Sequence, residues 1–119
     1  MKKISLACVG LLSVYLVLSG CSKENGGGGT TNVDCSTVTN KAFATDVNPI
    51  FQTVCAAAGC HANGSSNGPG ALTTWSAISA NKNQIRAAVS SGLMPQGSAL
   101  STSQKNSIIC WIDSGAPNN

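Results

Sequence analysis

The sequence predicts a small all-α domain over residues 35–119. Three observations lead there. Apolar residues recur at three- and four-residue spacing in several segments, the mark of helices with one buried face. Start and stop signals bracket those segments: Asn48-Pro49, Asn81, Gly92, Ser101 with Gln104, and Gly115. No stretch of useful length alternates apolar and polar residues as a half-buried strand does.

The first helix is read as starting at Asn48, an N-cap, with Pro49 at the first helical position. Val47, Ile50, Phe51 and Val54 then define its buried face, and the helix runs directly into Cys55. Ala56 to Gly59 carry minimal side chains, so this backbone can bulge and still lie close to a ligand. From Ala62 to Gly70 the chain is mostly Asn, Gly, Ser and Pro, which predicts a loop. Leu72, Trp75 and Ile78 suggest a short helical turn on the core. Trp75 is read as core first, although a buried indole N–H needs an acceptor and can serve a ligand.

Asn81 caps a helix through Ser91, with Ile85, Ala88 and Val89 inward and Gly92 as its stop. Leu93 to Gly97 follow as a loop in which Pro95 stiffens the position of Met94. Ser101 and Gln104 form a capping box for the last helix. Ile108, Trp111 and Ile112 give that helix its apolar face, and Gly115 and Pro117 end it. Cys110 lies off this face, where it can meet an incoming segment carrying Cys35.

Residues 1–20 resemble a bacterial lipoprotein signal: Lys2 and Lys3, an apolar run from Ile4 to Leu18, then Leu18-Ser19-Gly20-Cys21. The run is short of the roughly 20 apolar residues that span a bilayer. Cys21 is expected to be the lipidated first mature residue. Residues 21–34 read as a Gly-rich tether between lipid and domain. These features place the protein outside the cytoplasm, anchored in a Gram-negative envelope. The outer membrane is the expected membrane, with the domain facing the periplasm or the cell surface.

The formal charge of +3 falls once the leader is removed. Lys23, Lys41, Lys82, Arg86 and Lys105 then stand against Glu24, Asp34, Asp46 and Asp113, scattered along the chain. No basic stripe with interleaved aromatics exists, which argues against a nucleic-acid partner. The domain has only four aromatics, Phe43, Phe51, Trp75 and Trp111, and a domain of this size usually needs a staple or a cofactor.

Cysteine usage supplies both. Of six cysteines, Cys8 leaves with the leader and Cys21 takes the lipid. Cys35 and Cys110, near the two ends of the domain, are read as a disulfide in an exported protein. Cys55 and Cys60 remain, and His61 directly follows. Two such thiols can hold a haem through thioethers while the adjoining imidazole binds the iron. The usual attachment signature has two residues between the cysteines, and here there are four. His61 is the only histidine, and Met94 is the only methionine besides Met1. His/Met is a recurrent axial pair for haem that carries electrons. A Cys55–Cys60 disulfide without haem is the competing use of these thiols. A tetrahedral metal site is weaker, because adjacent Cys and His strain to reach one ion.

These residues resemble a small class I cytochrome c domain of the monohaem, lipoprotein-anchored kind. The resemblance covers residues 35–119 and rests on four stretches: Asn48-Pro49-Ile50-Phe51, Cys55 to His61, Gly92-Leu93-Met94-Pro95, and Trp111 to Ala116. It implies a helical domain wrapped around one covalent haem c. Cys55 and Cys60 are the implied thioether residues, His61 the proximal ligand and Met94 the distal ligand. The expected function is one-electron transfer to redox proteins of the envelope by a monomeric domain, with no enzymatic reaction. Two alternatives stay open. One is a colourless, disulfide-stapled lipoprotein that binds a partner. The other is a five-coordinate haem sensor or peroxidase, which requires Met94 to leave the iron free.

Overall fold

The computed structural model describes residues 32–119. The leader, Cys21 and most of the expected tether lie outside the described residues. Within them the regular structure is entirely helical, with no strand. A first helix, α1, reads without interruption through a π turn (Phe43–Val47), an α turn (Asn48–Ile50) and a second π turn (Phe51–Cys55). Then come α2 (Trp75–Ala80), α3 (Lys82–Ser91) and α4 (Thr102–Asp113).

The start of α1 corrects the sequence reading. Asn48 is not its N-cap; the helix begins five residues earlier, after extended Ala42, and Pro49 sits inside it. A proline in a helix interior lacks an N–H and pushes its ring against the carbonyl four residues back. Here the preceding turn is widened, with Val47 N–H bonding Ala42 O and Asn48 N–H bonding Phe43 O. The wider turn shifts the carbonyls out of the usual register and makes room for the ring. The start is secured locally by Asp46 Oδ2, which accepts from Ala42 N–H, and remotely by Asn119, which accepts from Phe43 and Ala44.

The buried face agrees with the pattern. Val47, Ile50 and Phe51 are buried, and Val54 packs at the margin of the core. Helix α4 is the central element, packed against both α1 and α3, while α2 leans on α3. It opens with the expected capping box between Ser101 and Gln104. Ile108, Ile109 and Trp111 are wholly enclosed, and each such apolar side chain contributes roughly 1.5–3 kcal/mol through burial. Trp111 lies against Phe43 with ring centroids 5.3 Å apart. Helix α3 follows Asn81, yet the Asn81 side chain does not cap it; its Nδ2 donates back to Ala77 O. Gly92 ends α3 in the left-handed conformation that favours glycine.

Two indoles hold the tail after α4. Trp111 Nε1 donates to Pro117 O at 2.8 Å and Trp75 Nε1 to Ala116 O at 3.1 Å. The Trp75 N–H is therefore engaged within the protein, and its reading as a ligand donor is set aside. Cys35 and Cys110 form the expected disulfide, with Cα atoms 5.3 Å apart. Val33 already packs on the core beside this staple. No helix among the described residues is long and apolar enough to cross a membrane.

Candidate functional site: a cavity lined by Cys55, Cys60, His61 and Met94

Helix α1 delivers Cys55 at its last position, and the second π turn closes with Ala56 N–H on Phe51 O. A tight turn follows, in which Cys60 N–H bonds Ala57 O and Gly59 takes a positive φ of 81°. His61 N–H then returns to Cys55 O, so the four intervening residues form a closed bulge. Cys55 is half-buried and Cys60 exposed, and both are free thiols. The competing Cys55–Cys60 disulfide is thus absent from the structure. Burial, with the nearby Cys60 adding to it, pushes the Cys55 thiol up to about 11. Such a group stays protonated at neutral pH, which does not suit an exchange nucleophile.

His61 is buried. Its Nδ1 lies 2.9 Å from the carbonyl of Gly70. A carbonyl only accepts, so Nδ1 carries a proton, and in the neutral ring Nε2 holds the lone pair. No described residue bonds Nε2, and none of the buried side-chain N or O atoms among them lacks a partner. Nε2 therefore keeps some access to solvent, and the residue lines the cavity. Fixing one ring nitrogen on a carbonyl sets the orientation and raises the basicity of the other, as in histidines that ligate metals.

Met94 arrives from the opposite side of the sequence. The αL stop at Gly92 turns the chain, and Met94 N–H bonds Ala88 O at 3.1 Å, so the residue is tied to the end of α3. Its side chain is half-buried. Cys55, Cys60, His61 and Met94 all line one cavity of about 360 Å³. A cleft of about 270 Å³ adjoins it, sharing Cys55, His61 and Met94 and walled by Phe51, Leu72 and Val89. The pair falls in the ~300–1,000 Å³ range of small-molecule and cofactor sites.

All four candidate residues are therefore brought together. Cys21 lies outside the described residues, and Cys35 with Cys110 serve the staple. Among the described residues no three His, Cys, Asp or Glu side chains converge as an ion-binding cluster. The sequence reading missed Gly70, whose carbonyl orients His61, and Ser65 and Asn67, which bond the main chain at Cys60. All three sit in the stretch read only as a polar loop, where periodicity gives no signal.

Comparison with known protein families, with curated proteins and with solved structures returns no match. The site's chemistry alone bears on function.

Proposed function

We propose that this protein is a one-electron carrier, a c-type monohaem cytochrome tethered by lipid in the cell envelope. The observation that carries the reading is the set of side chains on one cavity: both free cysteines of the domain, its only histidine and its only methionine. The residues suit a haem. Cys55 and Cys60 would hold it by thioethers, and an uncharged thioether suits the half-buried position of Cys55, where a thiolate is disfavoured. His61, with Nδ1–H on Gly70 O, presents Nε2 as proximal ligand. Met94 would supply the distal sulfur. Haem c held there supplies a reversible ferric/ferrous couple, and His/Met ligation raises its potential.

The chain's own residues account for the rest. Phe51, Leu72, Ile85 and Val89 wall the cleft with hydrocarbon, a surface suited to the face of an apolar ring. His61 and Met94 together would hold the iron without leaving a site for oxygen or peroxide, which suits electron transfer without substrate chemistry. Charges among the described residues are few and nearly balanced, Lys41, Lys82, Arg86 and Lys105 against Asp34, Asp46 and Asp113. Docking to redox partners would then depend little on long-range steering. Lipidation of Cys21 would keep the carrier at the membrane.

Protein made with a haem-attachment system should be red and hold one haem through denaturation. A peptide from Val54 to Ala62 with only its unmodified mass overturns the proposal. Cys21→Ser should abolish lipid modification; full modification in that variant removes the anchor.

A further inference from the structure

Four residues separate the thiols, and beyond the main-chain bonds on Ala57 O and Cys55 O, the small side chains of exposed Ala57, Ala58 and Gly59 add nothing that fixes the shape of the bulge. The restraint comes from across the loop. Asn67 Nδ2 donates to Gly59 O at 2.8 Å and to Cys60 O at 3.2 Å. The Ser65 hydroxyl also donates to Cys60 O, and Asn67 N–H donates to Ser65 Oγ at 3.1 Å. Asn67 O accepts from Gly70 N–H at 2.9 Å, and Gly70 O is the acceptor for His61 Nδ1. One residue thus joins the main chain at the second thiol to the carbonyl that orients the imidazole. Gly68, next in sequence, has a φ of 52°, and a Cβ there would lie 3.6 Å from His61 Cε1, so this loop also follows the ring closely.

We infer that Asn67 is a positioning residue for haem attachment across the wide bulge, setting Cys60 and His61 in one frame. The inference rests on the haem reading of the cavity. The physical reason is selection among conformers. Exposed hydrogen bonds add little to global stability. A loop of alanines and glycine has many conformers of similar energy, and two donors on adjacent carbonyls favour one. A carboxamide fits the task, because its NH₂ offers two donors. An aspartate of the same size would turn oxygen toward both carbonyls.

The test uses the full chain made with a haem-attachment system, comparing wild type with Asn67→Asp, Asn67→Ala and Asn67→Gln. Doubly and singly attached haem are separated by alkylating the denatured protein, which adds a mass label to the haem peptide only where one cysteine is left free, and by the position of the reduced α-band. The expected order of double attachment is Asp lowest, then Ala, then Gln, with Gln partly rescued because it retains the donor. In the Ala variant, amide exchange at Cys60 and His61 should quicken roughly fivefold, the ratio one net hydrogen bond supports. Exchange in α4 should be unchanged. The reduction potential should rise, since a looser Gly70 carbonyl leaves His61 a weaker donor to iron. Wild-type haem content with unchanged band, potential and local exchange in the Asp variant overturns the role of Asn67 alone. Equal quickening in α4 overturns it too, by showing a general loss of fold. Wild type that takes no haem overturns the reading of the cavity, and this inference with it.

Discussion

Asn119 caps the helix that begins at Phe43, from the far end of the described chain. Phe43 N–H donates to Asn119 Oδ1 at 2.8 Å, and Ala44 N–H donates to Asn119 O at 2.7 Å. The local N-cap, Ala42, has no side-chain oxygen to offer, so two orphan helix N–H groups find acceptors 75 residues or more away. The same helix presents Cys55 at its other end. Fold closure and site position are thereby coupled through α1.

Asn119→Ala should therefore cost about 1 kcal/mol, the typical worth of an N-cap side chain. Urea unfolding with an unchanged slope is the measurement. An unaltered midpoint would show that water replaces the carboxamide without loss.

Arg86 and Asp113 join α3 to α4 through two contacts, Nε to Oδ1 at 2.6 Å and Nη2 to Oδ2 at 2.8 Å. Both side chains are more than a third exposed, which limits the pair to roughly 0.2–1 kcal/mol in a double-mutant cycle. The Arg86 guanidinium holds the Asp113 carboxyl below its ordinary 3.8. A carboxylate lowered on folding stabilises above its unfolded value and loses that contribution as pH falls through the folded value. The coupling should persist at neutral pH, fade below about pH 4 and weaken in salt. A coupling independent of both would contradict the ion-pair account.

The staple can be separated from the site. Neither Cys35 nor Cys110 lines the cavity, so the double Cys→Ser variant should keep its haem while losing about 2–5 kcal/mol of stability. Loss of haem attachment without loss of stability would reverse this assignment.

Cys55 and Cys60 should differ in reactivity in chain made without haem attachment. At pH 8 the exposed Cys60 should alkylate first, and the Cys55 rate should climb toward about pH 11. The folded value is the higher one, so the thiol supports folding below about 9 and that support is lost as pH rises through about 11. In haem-loaded chain neither sulfur should react. Equal rates at pH 8 would refute the burial argument, and reaction of both in red protein would refute the thioethers.

Met94→Ala should open the haem iron to carbon monoxide and cyanide, abolish the far-red sulfur-to-iron band and lower the potential. If the wild type already binds carbon monoxide rapidly and lacks that band, the sensor or peroxidase reading displaces electron transfer.

Local chemistry made part of this visible in advance. The Ser101–Gln104 box, the Gly92 stop and the apolar faces of α1, α3 and α4 are encoded within a few residues of where they act. The Cys35–Cys110 pair followed from assigning a use to every other cysteine in a chain expected to be exported. The start of α1 was misread because Asn48-Pro49 is a good helix opening in isolation. The structure instead widens a turn to keep Pro49 inside, since Phe43 and Val47 gain burial against α4.

By itself, then, the sequence determined the helical class, the staple and the four residues of the proposed haem site. The tertiary structure decided that they line one cavity, that Gly70 selects the His61 tautomer and that Asn67 spans from Cys60 to Gly70. It also decided that Trp75 and Trp111 commit their N–H groups to the tail that carries Asn119. The division has a physical cause. Caps, stops and amphipathic faces arise from interactions among neighbours in the chain. A carbonyl acceptor has no identity in the sequence, because every residue carries one, and only the fold decides which donor it meets.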